Sequence, residues 1–287
     1  MTSPPEVAAT SSDRLVSLTV SDLKVVVDLD AGARAVGWSV GGLQLLARHG
    51  PHPVAYGMYP MAPWAGRVRG NSVEWAGHDH PLPVTFDGWA IHGTALSQAA
   101  AVIDLERTNE SARLVARVED HPGWPWPMAI DIGWEVRRRE VTATITVHAL
   151  VEPFPAVVGW HPWFRRDLGS GAPLEWTLDA TERLERGADH LPTGRRVPFD
   201  PVEGPFDDAF VVPSGRGRVR WPGALAIDVV SDGGWYVVYD ELDDAACLEP
   251  QTGPPDGLSG AAVAAPGTPH VMVTTWTISD DRPAGPA

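Results

Sequence analysis

Apolar and polar positions alternate with a period of two through much of this 287-residue chain, and β-branched residues fill much of the apolar half. The runs are Leu15 to Val20, Leu23 to Leu29, Ala35 to Val40, Ala101 to Glu106, Leu114 to Glu119, Ala129 to Val136, Val141 to Val151, Ala224 to Val230, Trp235 to Asp240 and Val271 to Ile278. Such runs predict strands, and the 29 glycines and 28 prolines supply the turns between them. Only Thr181 to His190 hints at a helix, and it is short. No internal repeat of fixed period is visible, and no Pro/Gly/Ser-rich linker divides the interior. Many strands without crossover helices predict antiparallel sheets packed face to face, an all-β fold built as one large antiparallel β-sandwich.

One stretch departs from alternation. Ala245-Ala246-Cys247-Leu248 runs straight into Glu249 and then Pro250-Gln251-Thr252-Gly253-Pro254-Pro255. A continuous apolar run predicts a buried strand, and the prolines and glycine after it predict the end of its pairing. Glu249 would then stand at the mouth of a core. Desolvation raises the pKa of a carboxyl group so placed, which suits a general base working near neutral pH. A glutamate that caps or salt-bridges a strand end fits the same stretch.

Composition narrows the chemistry. Hydrophobic residues are 44% of the chain and charged residues 21%, enough for a full core without disulfides or metals. Cys247 is the only cysteine, which excludes internal disulfides and cysteine-rich zinc sites and is compatible with a reducing compartment. No charged-then-apolar leader is evident and no apolar run reaches the ~18 residues of a membrane span, so a cytoplasmic protein is expected. Residues 1–13 and the end from about Asp280 are small and polar, and are expected to be disordered tails around a single domain over residues 14–279. A formal charge of −15 repels phosphate backbones and anionic lipid, so neither nucleic acid nor membrane is an expected partner. Lys24, the only lysine, sits in the strand-like Leu23-Lys24-Val25-Val26-Val27 with no polar company, which argues against Schiff-base chemistry.

Further segments set polar residues among prolines, glycines and aromatics. In Tyr59-Pro60-Met61-Ala62-Pro63-Trp64-Ala65-Gly66-Arg67-Val68-Arg69-Gly70 the prolines fix a non-helical approach to Arg67. Its planar five-donor fork suits hydroxyl or carboxylate oxygens, and a plain surface arginine is the alternative. Trp89-Ala90-Ile91-His92-Gly93 puts a histidine in apolar company, where a hydrogen-bonded core imidazole is commoner than a functional one. In Val157-Val158-Gly159-Trp160-His161-Pro162-Trp163-Phe164, His161 comes off an apolar strand into a proline between two tryptophans. Aromatic faces stack on sugar C–H surfaces, so this histidine points to carbohydrate, although tryptophans also simply fill cores. Asp207, in Pro205-Phe206-Asp207-Asp208-Ala209-Phe210, is either a turn residue or a hydroxyl-binding carboxylate. His78-Asp79-His80 has the spacing of a metal site on one strand face, but it follows Gly77 in a turn-like stretch and no third ligand can be named. P-loop and G-x-G-x-x-G motifs do not occur, so nucleotide and dinucleotide readings lack their usual signatures.

Taken in order, Pro60-Met61-Ala62-Pro63-Trp64-Ala65-Gly66-Arg67-Val68, Ile91-His92-Gly93, Gly159-Trp160-His161-Pro162-Trp163-Phe164, Phe206-Asp207-Asp208-Ala209-Phe210 and Leu248-Glu249-Pro250-Gln251-Thr252-Gly253 resemble the landmarks of the aldose 1-epimerase (galactose mutarotase-like) family. The resemblance spans nearly the whole expected domain. It implies a galactose mutarotase-like β-sandwich that binds a small-molecule sugar across a sheet face. It also implies roles: Glu249 as general base, His161 as general acid, and Arg67, His92 and Asp207 as ligands of sugar hydroxyls, with Trp160 and Trp163 beside them. Many galactose mutarotases have an asparagine just before the acid histidine and a tyrosine two residues after it. Trp160 and Trp163 here put the pattern nearer a divergent bacterial branch and leave the sugar open.

Anomer exchange removes the C1 hydroxyl proton while protonating the ring oxygen, which opens the ring to the aldehyde; rotation about C1–C2 and reclosure give the other anomer. A carboxylate and an imidazole suffice, so no metal or organic cofactor is expected. The resemblance therefore implies aldose 1-epimerase activity on a free hexose or pentose. The related hexose-6-phosphate 1-epimerases need cations around a phosphate, for which Arg165-Arg166 or Arg69 are candidates. A non-catalytic carbohydrate-binding protein has no need of both an acid and a base, and a glycosidase using Asp207 and Glu249 gives the histidines no part.

Overall fold

Each run of period two forms a strand in the computed structural model, which describes residues 14–169, 171–200 and 204–282; strand ends move by a few residues. Among the described residues eleven strands make one antiparallel sheet and eight make another. In the smaller sheet Glu140–Ala149 lies between Met128–Arg137 and His270–Asp280, and its burial alternates residue by residue. That is the pattern of a strand with one face on a core and one partly in water.

The core between the sheets is built on aromatic rings. Trp134 and Trp276 from the smaller sheet meet Trp38 and Trp160 from the larger one, and Trp221 of the smaller sheet meets Phe164 of the larger, all buried. Ring centroids are 4.8 Å apart for Trp134–Trp160, 6.4 Å for Trp160–Trp276 and 6.0 Å for Trp38–Trp276. Each such side chain buries roughly 150–250 Å², so this contact supplies a large share of the apolar burial that holds the sheets together.

In the larger sheet Met58–Met61, Gly159–Arg165, Ala245–Gln251, Trp235–Tyr239, Asp207–Val211 and Glu182–Arg186 follow one another in space. Gly159–Arg165, apart from its last residue, and Ala245–Gln251 are buried on both faces. One face packs on the other sheet. The excursion between residues 62 and 96 reaches over the other, pinned by the short pairing of Arg67–Val68 with Ala90–Ile91 and by a bridge from Ala62 to Gly93. Period two then sorts neighbours in sequence: His161, Trp163, Glu249 and Gln251 face outwards under the excursion, while Trp160, Phe164 and Leu248 join the inter-sheet core.

The stretch hinting at a helix is a strand. Glu182–Arg186 pairs with both Pro192–Pro198 and Asp207–Val211. Its charged residues, which look helix-forming in sequence, make cross-strand ion pairs from Glu185 to Arg195 and from Glu182 to Arg196, and Leu184 packs with Ala209 and Val237. Pro250 does not end its strand, which continues to Gln251. The ladder towards Gly159–Arg165 passes from the Gln251 pair to the Cys247 pair, a gap that tolerates a residue without an N–H. At the C-terminal end, Asp280 closes the last strand, and Asp281 accepts hydrogen bonds from Arg220 Nε at 2.8 Å and from the Gly223 N–H at 2.9 Å. These contacts carry defined structure past the point where composition placed a tail. Residues 1–13 and 283–287, where the tails were expected, lie outside the described residues. Among the described residues no helix is long and apolar enough to cross a membrane.

Candidate active site

A cavity of about 310 Å³ opens on the outer face of the larger sheet, over Gly159–Arg165 and Ala245–Gln251. The ladder pairs Gly159–Gln251 and Trp163–Cys247 fix a register in which His161 stands opposite Glu249. His161 Nε2 lies 3.2 Å from Glu249 Oε1, and the two side chains are 7% and 2% exposed. Two residues far apart in the chain thus meet because adjacent antiparallel strands bring opposed side chains on one face to about 5 Å between Cβ atoms.

Burial sets the protonation of this pair. It pushes the Glu249 carboxyl well above its ordinary value, with the Asp207 charge adding to the rise. It pushes the His161 imidazole well below its ordinary value, with His92 adding to the fall. Both groups therefore favour their neutral forms, and the pair holds one proton. A carboxylic acid beside a neutral imidazole contains the same proton as a carboxylate beside an imidazolium, so the pair titrates as a unit. Gln251 Nε2 donates to Glu249 Oε2 at 3.3 Å and opposes the rise. The His161 ring is sandwiched between Tyr59 and Trp163, with centroids 4.6 and 5.4 Å away and planes 21° apart in each case. Aromatic faces attract an imidazolium, so this sandwich supports the charged form whenever the proton sits on His161.

His92 enters the cavity through strained backbone. It has φ +60° and is followed by Gly93 at φ +75°, where a Cβ would lie 2.0 Å from the Ala62 carbonyl oxygen. Only glycine fits there, which explains the His-Gly order. The backbone N–H of His92 donates to Gly66 O at 3.1 Å, and the Gly66 N–H donates to His92 Nδ1 at 3.3 Å. With Nδ1 accepting, the ring proton sits on Nε2, and burial with Arg67 nearby lowers the pKa to about 3. His92 is a neutral hydrogen-bond donor at neutral pH.

Arg67 Nη1 is 4.0 Å from Asp207 Oδ2, and its buried Nε has no hydrogen-bond partner among the described residues. Asp207 is held more tightly by Arg186, whose Nη1 donates to Oδ2 at 2.8 Å while its Nη2 donates to Glu241 Oε1 at 3.0 Å. Burial raises the Asp207 pKa, and the two arginines oppose the rise.

Of the residues singled out from sequence, Glu249, His161, His92, Arg67, Asp207 and Trp163 all line the cavity. Trp160 does not. Its ring is fully buried between the sheets, which corrects the expectation that it touches a sugar. As the strand neighbour of His161 it must face the other way. Arg69 is engaged with Asp189 and Asp256, Arg166 with the carbonyls of Leu242 and Asp240, and neither they nor Arg165 line the cavity. His80 Nε2 lies 3.3 Å from Trp75 O and its ring packs against Trp126, so that side chain is committed to packing. Tyr59, Arg186, Tyr239 and Gln251 line the cavity without having been singled out. Gln251 could have been found, since it lies two residues beyond Glu249 on one strand. Arg186 carries no local signal, because the register that pairs Glu182 with Val211 is what brings it opposite Asp207.

A family model described as Aldose 1-epimerase matches residues 27–240. Solved structures share the fold over almost the whole chain. A protein of Escherichia coli K12 provisionally assigned as an aldose 1-epimerase has 21% identity and a TM-score of 0.78, covering 93% of this chain and 99% of that one. A galactose mutarotase-like protein of Clostridium acetobutylicum has 14% identity and a TM-score of 0.82, covering 93% and 95%. Galactose 1-epimerase of Lactobacillus acidophilus NCFM has 16% identity and a TM-score of 0.78, covering 93% and 94%. By sequence alone, no curated protein matches the chain. The structural likeness establishes a galactose mutarotase-like β-sandwich, and the family supports a function of the carbohydrate epimerase kind. Because the family model spans well over half of the residues, the chain belongs to the aldose 1-epimerase family.

Proposed function

We propose that the protein interconverts the α and β anomers of a free aldose by acid–base ring opening and reclosure, and that it does so in the cytoplasm, where its single buried free thiol suits a reducing compartment. The observation that carries the reading is the contact of His161 Nε2 with Glu249 Oε1 at the cavity floor. With the C1 hydroxyl at Glu249 and the ring oxygen at His161, the carboxylate takes the hydroxyl proton as the bond from C1 to the ring oxygen breaks. The ring oxygen takes its proton from the imidazolium. The open aldehyde then faces a carboxylic acid and a neutral imidazole, the distribution that burial favours. After rotation about C1–C2, the reverse transfers close the ring on its other face.

Arg67 and the Nε2–H of His92 would donate to sugar hydroxyls, Asp207 would accept from one, and Trp163 offers a flat apolar face. A free sugar is favoured over a 6-phosphate because Arg69, Arg165 and Arg166 lie outside the cavity, and because Arg186 is already matched by Asp207 and Glu241. Following the anomeric conversion of freshly dissolved glucose, galactose and their 6-phosphates by polarimetry or NMR tests the proposal. Acceleration of at least one free aldose is expected, and failure with every aldose sinks the reading.

Arg67→Ala should raise KM about 10- to 100-fold with kcat changed only a few-fold, since charge-assisted hydrogen bonds are worth about 1.5–3 kcal/mol. A fall in kcat at constant KM would instead give Arg67 a part in the chemistry. The pH profile of kcat/KM should be bell-shaped. Its acid limb marks uptake of a second proton by the pair and its alkaline limb loss of the only one. Because burial lowers His161 and raises Glu249, the acid limb lies below the ordinary imidazole value of about 6.5 and the alkaline limb above the ordinary carboxylate value of about 4.3. An acid limb at or above about 6.5, or an alkaline limb at or below about 4.3, would contradict this account of the pair.

A further inference from the structure

Cys247 adjoins the acid–base pair and takes no part in the proton transfers. It lies two residues before Glu249, opposite Trp163 in the ladder, and is 2% exposed. Its Sγ, a ring nitrogen of His161 and a carboxylate oxygen of Glu249 all lie within 4.8 Å of one another. We propose that these three side chains form a binding site for a thiophilic divalent cation of the Zn²⁺ or Cd²⁺ type, and that the bound ion antagonises anomer exchange.

One thiolate, one imidazole and one carboxylate are a ligand set of intermediate softness, and three protein ligands with one open position are a usual tetrahedral arrangement for zinc. Metal–ligand bonds of about 2.0–2.3 Å require ligand atoms about 3.3–3.8 Å apart. His161 Nε2 and Glu249 Oε1, at 3.2 Å, already stand close to that separation, and Cys247 Sγ, within 4.8 Å of a ring nitrogen and a carboxylate oxygen of the pair, closes the site by drawing in about an ångström. Charge fits as well. A thiolate and a carboxylate cancel the two positive charges of the ion, so the filled site is neutral where an uncompensated charge would be costly. Burial holds the Cys247 thiol well above its ordinary pKa, yet a coordinated thiol is deprotonated outright by the ion. Binding therefore releases the thiol proton and the single proton of the pair. The fourth position is left for water or a sugar oxygen from the cavity. An ion that occupies the His161 lone pair and a Glu249 oxygen leaves neither group able to carry a proton. Inhibition rests on the proposed function, whereas binding does not.

Cd²⁺ titration of the metal-free protein, followed by the ultraviolet thiolate-to-metal charge-transfer band, tests binding, with Zn²⁺ affinity measured by equilibrium dialysis. One ion per chain is expected. Cys247→Ser should abolish the band and weaken Zn²⁺ binding at least 100-fold, while metal-free anomer exchange stays within about threefold, since deprotonated thiolate is the ligand lost. Zn²⁺ should inhibit the unsubstituted protein and spare the variant. Cys247→Ala serves if the serine variant does not fold. Absence of the band, Zn²⁺ affinity unchanged in the cysteine variant, or affinity lost instead in His78→Ala/His80→Ala overturns the site. A cadmium–thiolate band in a protein that turns over no aldose leaves the metal site standing and removes the proposed activity, so the two failures are distinguishable.

Discussion

Glu249→Gln lowers kcat/KM for anomer exchange by about 10²- to 10⁴-fold, and His161→Asn does the same, because each removes one of two coupled proton transfers. The double variant falls little below the worse of the two, since neither group has a proton route without the other. Glutamine keeps the shape of the glutamate and can still accept from Gln251 Nε2, so sugar binding changes little. Stability separates chemistry from damage to the fold: burial favours the neutral form of Glu249, so glutamine of the same size should leave the denaturation midpoint little changed. Rates come from NMR exchange between anomers over a range of sugar concentrations, which separates kcat from KM. If either single variant keeps more than about a tenth of the activity, below the least that acid–base catalysis contributes, the assignment of the pair fails.

Trp160→Ala costs about 3–5 kcal/mol of stability, the range for removing a large ring from a core. The ring is fully buried and lies against Trp134 and Trp276, so its loss opens a cavity at the contact between the sheets. Denaturant unfolding measures the loss, and the folded fraction should bind sugar with unchanged KM. Trp163→Ala should do the reverse. That ring lines the cavity and stacks on His161, so KM rises while stability falls less. An increase in KM for Trp160→Ala at constant stability would restore it as a sugar contact.

The chain by itself determined the strands and singled out six of the residues that line the candidate site, because both are local matters. Period two follows from strand geometry, and a His-Gly pair or a carboxylate after an apolar run can be read in place. Even the opposite fates of Trp160 and Trp163 follow from their odd spacing once both are put on the one strand Gly159–Arg165. Tertiary structure alone decided what depends on register and cover. Glu182–Arg186 is rich in helix-forming residues and becomes a strand only through its two neighbours. Arg186 reaches Asp207, and His161 reaches Glu249, because strands distant in sequence pair at one offset, and a slip of one residue would turn every side chain to the other face. The opposed pKa shifts of His161 and Glu249 arise last. They require a second sheet beneath the strands and the 62–96 excursion above them, since desolvation is a property of the assembled fold and of no segment alone.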